Sequence, residues 1–280
     1  MTAGRALMEG LVDYAGLFPP AGLEMLEAVR RYREYLAGED RWALGRFVVP
    51  AARLAEFESA FEEVCCGERE PVWALSVLGT GDLSGLARGA VSVESVELKA
   101  GSVTEAEREL AECGGEVPVY VEFDPGRASA MLPALAHAGA RAKIRTGGVA
   151  SEAFPSLETV AGFLLACARA RVPFKATAGL HHAVRGDYKL TYEAQSARAT
   201  MHGFANVFLA AVLAWCGAER RTVMETLGAT EFQFGAENVR WLGFELSAEE
   251  IAAARRGFAV SYGSCSFEEP IAEAKALGWV

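Results

Sequence analysis

Positive charge is scarce in this chain: 27 Lys and Arg stand against 37 Asp and Glu, a net charge of −10. That balance argues against a nucleic-acid surface, which needs a basic patch. It leaves room for a local cationic pocket that takes an anionic molecule. The six cysteines, at 65, 66, 113, 167, 216 and 265, form no C-x-x-C pair and no zinc-site spacing. They read as free thiols of a reducing compartment. The first residues lack a basic region followed by an apolar core, so no secretory leader is expected. The most apolar helical stretch, Phe204–Trp215, is too short to cross a bilayer. The chain also lacks Pro/Gly/Ser linkers, low-complexity tracts and any internal repeat larger than one strand and one helix. The expectation is a soluble cytoplasmic protein with no membrane or nucleic-acid partner.

What the chain has in quantity is apolar sequence, 51% of its 280 residues. Parallel strands buried on both faces produce such runs. Strand-like and helix-like segments alternate along the chain. Strands are expected over 11–15, 46–50, 72–78, 96–100, 119–123, 142–146 and 174–178. Helices are expected over 23–36, 54–64, 82–89, 105–113, 128–137 and 157–171. This alternation predicts a parallel sheet. With tight turns throughout it fits a (β/α)8 barrel better than a doubly wound sheet. The expectation is a single barrel domain over 1–280. The stretch from 183 to 257 reads as an insertion before the last strand, with a helix over 202–217, a hairpin within 231–246 and a helix over 248–256. The closing strand is placed at 258–262 and a final helix at 268–277.

Two of the expected strands each carry a lysine and then run into glycine: Lys143-Ile144-Arg145-Thr146-Gly147-Gly148, and Lys175-Ala176-Thr177-Ala178-Gly179 followed by Leu180, His181 and His182. A lysine in a buried strand is costly unless paired or neutral. Barrel enzymes place their sites at the C-terminal ends of the strands. Residues two apart on a strand share a face. The candidates are therefore Asp13 and Tyr14, Glu97 and Lys99, Glu122 and Asp124, Lys143 and Arg145, and Lys175, Thr177 and His181. Burial and neighbouring cations lower a lysine's pKa, as imine chemistry requires. Lys143 has Arg145 on its face and Lys175 on the next strand. The alternative is that both lysines pair with Glu97 and Glu122 in an ion network that only supports the fold. Gly147-Gly148, Gly179 and the Gly263-Ser264-Cys265-Ser266 segment could present backbone N–H groups to a phosphate, or could be plain turns. His181 with Glu122 and Asp124 is the candidate set for a divalent metal.

The segment from Leu11-Val12-Asp13-Tyr14-Ala15 to Pro20-Ala21, the Phe47-Val48-Val49-Pro50 strand, the two lysine strands and the Gly263-Ser264-Cys265-Ser266 loop together resemble the deoxyribose-phosphate aldolase group of class I aldolases. The match is scattered over most of the chain. The resemblance implies that Lys143 forms the imine and Lys175 lowers its pKa. It further implies that Gly179, Gly263, Ser264 and Ser266 hold a phosphate and that Asp13 and Tyr14 line the substrate. Arg145, the Glu97/Lys99 pair and the longer insertion depart from the family pattern, so a substrate other than deoxyribose phosphate is expected.

The leading expectation is a lyase of the class I aldolase type acting on a small, anionic or phosphorylated carbonyl compound without a cofactor. Lys143, Lys175, Glu97 and Glu122 would be its catalytic residues. Asp13, Tyr14, Lys99, Arg145, Thr177 and His181 would bind substrate, and Gly147, Gly148, Gly179, Gly263, Ser264 and Ser266 would bind phosphate. The rivals are a metal-dependent lyase, isomerase or hydrolase, and a barrel that binds a ligand without turnover. A homo-oligomer is compatible with the apolar 204–215 segment, although such a segment more often belongs to a core.

Overall fold

Strand and helix alternate along the chain, and the strands close on one another. The structure, a computed structural model, describes residues 1–65, 71–81, 89–113 and 117–280. The strands in chain order are β1 (Val12–Tyr14), β2 (Leu44–Pro50), β3 (Trp73–Leu78), β4 (Val91–Lys99), β5 (Val119–Glu122), β6 (Arg141–Arg145) and β7 (Phe174–Thr177). After these come β8 (Gly186–Lys189), β9 (Arg198–Met201), β10 (Gln233–Phe234), β11 (Asn238–Trp241), β12 (Phe244–Ser247) and β13 (Ala259–Ser264). The first seven and β13 form a closed barrel in the order β1-β13-β7-β6-β5-β4-β3-β2. Every pair around it is parallel. This is the (β/α)8 barrel, with its closing strand one residue later than the sequence suggests at the start and two later at the end.

The helices are α1 (Ala3–Met8), α2 (Met25–Ala37), α3 (Leu54–Cys65), α4 (Val103–Glu112), α5 (Ala128–His137), α6 (Leu157–Ala170), α7 (Phe204–Trp215), α8 (Arg220–Gly228), α9 (Ala248–Gly257) and α10 (Glu268–Ala276). Each expected helix that falls on described residues lies within two residues of its expected position. The helix expected over 82–89 falls mostly on residues 82–88, outside those described, as does Cys66. Serine starts several helices by accepting a backbone N–H: Ser102 from Glu105, Ser156 from Thr159, and Ser247 from Glu250 in a reciprocal capping box. Among the described residues, no helix is long and apolar enough to cross a membrane.

Between β7 and β13 the chain is more elaborate than its pattern implies. An antiparallel β8–β9 pair precedes α7, and a three-stranded β10-β11-β12 sheet stands where a hairpin was expected. The β8–β9 pair, α8 and α1 are short and only partly apolar, so periodicity does not reveal them. The α7 helix is buried on all sides from Phe204 to Ala214, packed against α6, α8, α9 and β13. Its all-round hydrophobicity is thus consumed within the chain.

Asn206 is the one amide in this helix, and it ties the insertion together. Its Nδ2 donates to the carbonyls of Thr226 and Ala229, and its Oδ1 accepts from the N–H of Arg185. Asn206→Leu should remove three buried hydrogen bonds and cost about 3 kcal/mol. Thermal unfolding would show this as a lower midpoint, and an unchanged midpoint would remove Asn206 as the tie.

Candidate active site

Alternation on the barrel strands decides which side chains meet inside. On β6, Arg141, Lys143 and Arg145 share one face while Ala142 and Ile144 are buried on the other. On β7, Lys175 lies between Phe174 and Ala176 in the same way. Lys143 and Lys175 are direct register partners on neighbouring strands. Asp13 on β1, Glu97 on β4 and Glu122 on β5 also face inward, and the five charged groups are buried together.

They form one alternating chain of charge. Lys175 Nζ lies 2.6 Å from Asp13 Oδ2 and 2.5 Å from Glu97 Oε1. Lys143 Nζ lies 2.7 Å from Glu97 Oε2 and 3.0 Å from Glu122 Oε2. Arg145 Nε completes the series at 3.0 Å from Glu122 Oε1. Ser76 donates to Glu97 Oε1, Ser261 donates to Asp13 Oδ2, and the backbone N–H of Arg46 donates to Asp13 Oδ1. Arg141 Nη1 donates to the Tyr120 hydroxyl, whose ring lies 5.5 Å from Lys175 Nζ.

Burial alone would raise the carboxyl pKa of Glu97, but the ammoniums of Lys143 and Lys175 outweigh it and hold the group well below the usual carboxylate range. Asp13 is held low against the same penalty by Lys175 and Arg46, and Glu122 by Lys143 and Arg145. Burial likewise favours a neutral Lys175, yet Asp13 and Glu97 keep its pKa above the ordinary value. Lys175 is a fixed cation.

A cavity of about 330 Å³ lies at the C-terminal ends of these strands. Phe18, Pro19, Val48, Leu78, Val149 and Ala153 supply apolar wall, and Glu97, Lys143, Arg145, Thr177, His181 and Cys265 supply polar wall. Gly147, Gly148 and Gly263 also border it. Asp13, Lys175 and Glu122 are not among the lining residues; they meet the cavity through the charges they hold. The cations expected to act on Lys143 therefore do so through shared carboxylates, Lys175 through Glu97 and Arg145 through Glu122.

Several expected site residues are placed elsewhere. Tyr14 follows the inward-facing Asp13 and so faces outward, packing on Tyr32, Tyr35 and Phe47 beneath α2. Lys99 is exposed at the end of β4 and does not border the cavity. Asp124 caps a short turn by accepting from Gly126 N–H, so Glu122, Asp124 and His181 do not assemble. Among the described residues, no group of three or more His, Cys, Asp or Glu side chains has metal-binding geometry. Within their own turn Ser264 Oγ accepts from Ser266 N–H and Ser266 Oγ accepts from Glu269 N–H, bonds that leave both hydroxyl protons to donate. The first turn of α10 carries Glu268 and Glu269, which disfavour an anion there.

The glycines at the ends of β6 and β7 serve a close backbone approach. A Cβ on Gly179 would come within 2.6 Å of Gly147 Cα, and one on Gly147 within 2.5 Å of the Phe154 ring. Ala178, on the cavity wall, is left-handed with φ 61°. That conformation costs a non-glycine residue about 1–2 kcal/mol. It is held by Ala178 N–H donating to Gly263 O and by Thr146 Oγ1 donating to Ala178 O at 2.6 Å. Sequence reasoning missed Ser76, Ser261, Tyr120 and Cys265. The first two were detectable as polar residues at inward positions of apolar strands.

No family model matches the chain, and no curated protein matches its sequence. Among solved structures, the tetrameric deoxyribose phosphate aldolase of Aeropyrum pernix superposes with a TM-score of 0.42 at 14% identity, over 65% of this chain and 85% of that one. It belongs to the group that the lysine strands resemble. A likeness this distant says nothing of this chain's chemistry.

The charge chain makes two outcomes testable. The three carboxyls are depressed in the folded state, so their contribution to stability is present above their ordinary values of 3.8 to 4.5 and is lost as pH falls through the folded values. Lys175 is raised, so its contribution holds below 10.5 and is lost as pH rises through its folded value. Urea midpoints should therefore be level near neutrality and fall at both extremes. Lys175→Met leaves Asp13 and Glu97 short of a buried partner and should cost about 3–5 kcal/mol. A loss under 1 kcal/mol on denaturant unfolding would count against the network as drawn.

Proposed function

We propose that the protein is a lyase of the class I aldolase type, with Lys143 as the amine that condenses with a small carbonyl substrate. One observation carries this reading. A buried lysine, held at 2.7 Å and 3.0 Å from two carboxylates, borders a cavity at the C-terminal end of a (β/α)8 barrel while a second lysine is locked as a cation behind it.

The amine must lose a proton to attack, and Glu97 and Glu122 are both within reach to take it. Attack gives a carbinolamine, and loss of water gives an iminium at Lys143. In the cleavage direction a base removes the proton of the substrate's β-hydroxyl as the C–C bond breaks, and the electron pair moves into the iminium to leave an enamine. Glu97 is the better candidate for this base, because it borders the cavity beside Lys143 and Glu122 does not. Arg145 has a half-exposed side chain on the cavity wall, which supports an anionic end on the substrate. Apolar walls exclude water and strengthen the electrostatics of the charged side.

Borohydride reduction in the presence of small aldehydes, ketones, 2-oxo acids and sugar phosphates should leave a stable adduct on Lys143, mapped by peptide mass. Lys143→Met should abolish both the adduct and turnover while the protein stays folded. A folded wild-type protein that takes no adduct from such a panel would favour a binding barrel instead.

A further inference from the structure

Cys265 enters none of the chemistry above, yet it borders the same cavity as Lys143. It follows the end of β13, and three segments converge on its sulfur. His181, after β7, places Nδ1 3.8 Å from Sγ. Glu269, at the start of α10, places Oε2 3.4 Å from the same Nδ1. Tyr192, between β8 and β9, places its hydroxyl 3.6 Å from Sγ and donates to Glu269 Oε2 at 3.2 Å. A thiol beside an imidazole nitrogen that can take its proton is the pairing of an activated cysteine nucleophile, and the carboxylate beside the same nitrogen favours the imidazolium that results.

We propose that Cys265, with His181 as its proton acceptor and Glu269 stabilising the imidazolium that forms, is a second nucleophile in this cavity that takes small aldehydes as reversible hemithioacetals. The Cys265 proton passes to His181 Nδ1, leaving an imidazolium whose N–H faces both the thiolate and Glu269. The sulfur adds to the aldehyde carbon, the C–S bond forms as the C=O π bond breaks, and the imidazolium returns the proton to the resulting oxygen. Nothing is oxidised or reduced. Burial would lower the His181 pKa, but its hydrogen bonds to Cys265 and Glu269 outweigh that and push it up to about 9.

This assignment does not depend on imine formation at Lys143, and the test keeps the two apart. Iodoacetamide is added to the full chain at neutral pH, and each modified cysteine is followed by peptide mass. Cys265 should react about tenfold faster than the exposed Cys216 despite being buried, and His181→Gln should slow Cys265 by about tenfold without changing Cys216. Propanal should protect Cys265 in the wild type and equally in Lys143→Met. Propanal labelled at its carbonyl carbon should show a sulfur-bound tetrahedral carbon by NMR in Lys143→Met, lost when Cys265→Ser is added. Cys265 reacting no faster than Cys216 in the wild-type protein, a comparison that needs no variant, would overturn the proposal. So would protection that disappears with Lys143, since the imine alone would then account for it.

Discussion

Glu97 is the side chain on which the barrel interior turns. One of its oxygens meets Lys175 and Ser76 and the other meets Lys143, so a single carboxylate on β4 couples β3, β6 and β7. Two ammoniums and three carboxylates are removed from water here, a burden that only dense mutual pairing can offset. Each lysine touches two acids, and each acid is shared with a second cation or a hydroxyl donor. Removing one member strands the next, so the group behaves as a unit.

Much of this was legible in the sequence. The strand–helix alternation gave the barrel, and the period of two on each strand put Lys143 with Arg145 inside. The same period should have turned Tyr14 away from Asp13, since adjacent strand residues face opposite sides; its aromatic neighbours on α2 show the consequence. The glycines after β6 and β7 and the serines after β13 were legible as tight backbone. Sequence could not say whether that backbone welcomes an anion or another strand end. At the ends of β6 and β7, the close approach of Gly147 to Gly179 favours the second use.

Other features depend on tertiary encounter and leave no local signal. Arg255 sits in α9 with an ordinary helical neighbourhood, yet it is buried. Its guanidinium donates to the carbonyls of Leu7 and Glu9, and to those of Ala259 and Val260 at the start of β13. Burial lowers its pKa to about 10, partly countered by Asp13. A cation that reads as helix surface thus closes the end of the barrel opposite the cavity. The meeting of Cys265, His181, Glu269 and Tyr192 is equally invisible, since 84 residues separate the cysteine from the histidine.

The two lysines look alike in sequence and are unlike in the fold. Lys175 is enclosed by Asp13 and Glu97 and does not border the cavity, so it can only set the field. Lys143 reaches the cavity wall while keeping two carboxylates. That placement bears on why an imine is chemically reasonable at this lysine. An ammonium and a protonated imine carry the same charge, so converting one into the other leaves the alternating series of charges balanced. The carboxylates that hold Lys143 in the resting protein would stabilise the iminium at the same position, with little rearrangement of the surrounding groups. Electrostatic preorganisation of this kind costs nothing at the moment of reaction, because the network has already been assembled by folding.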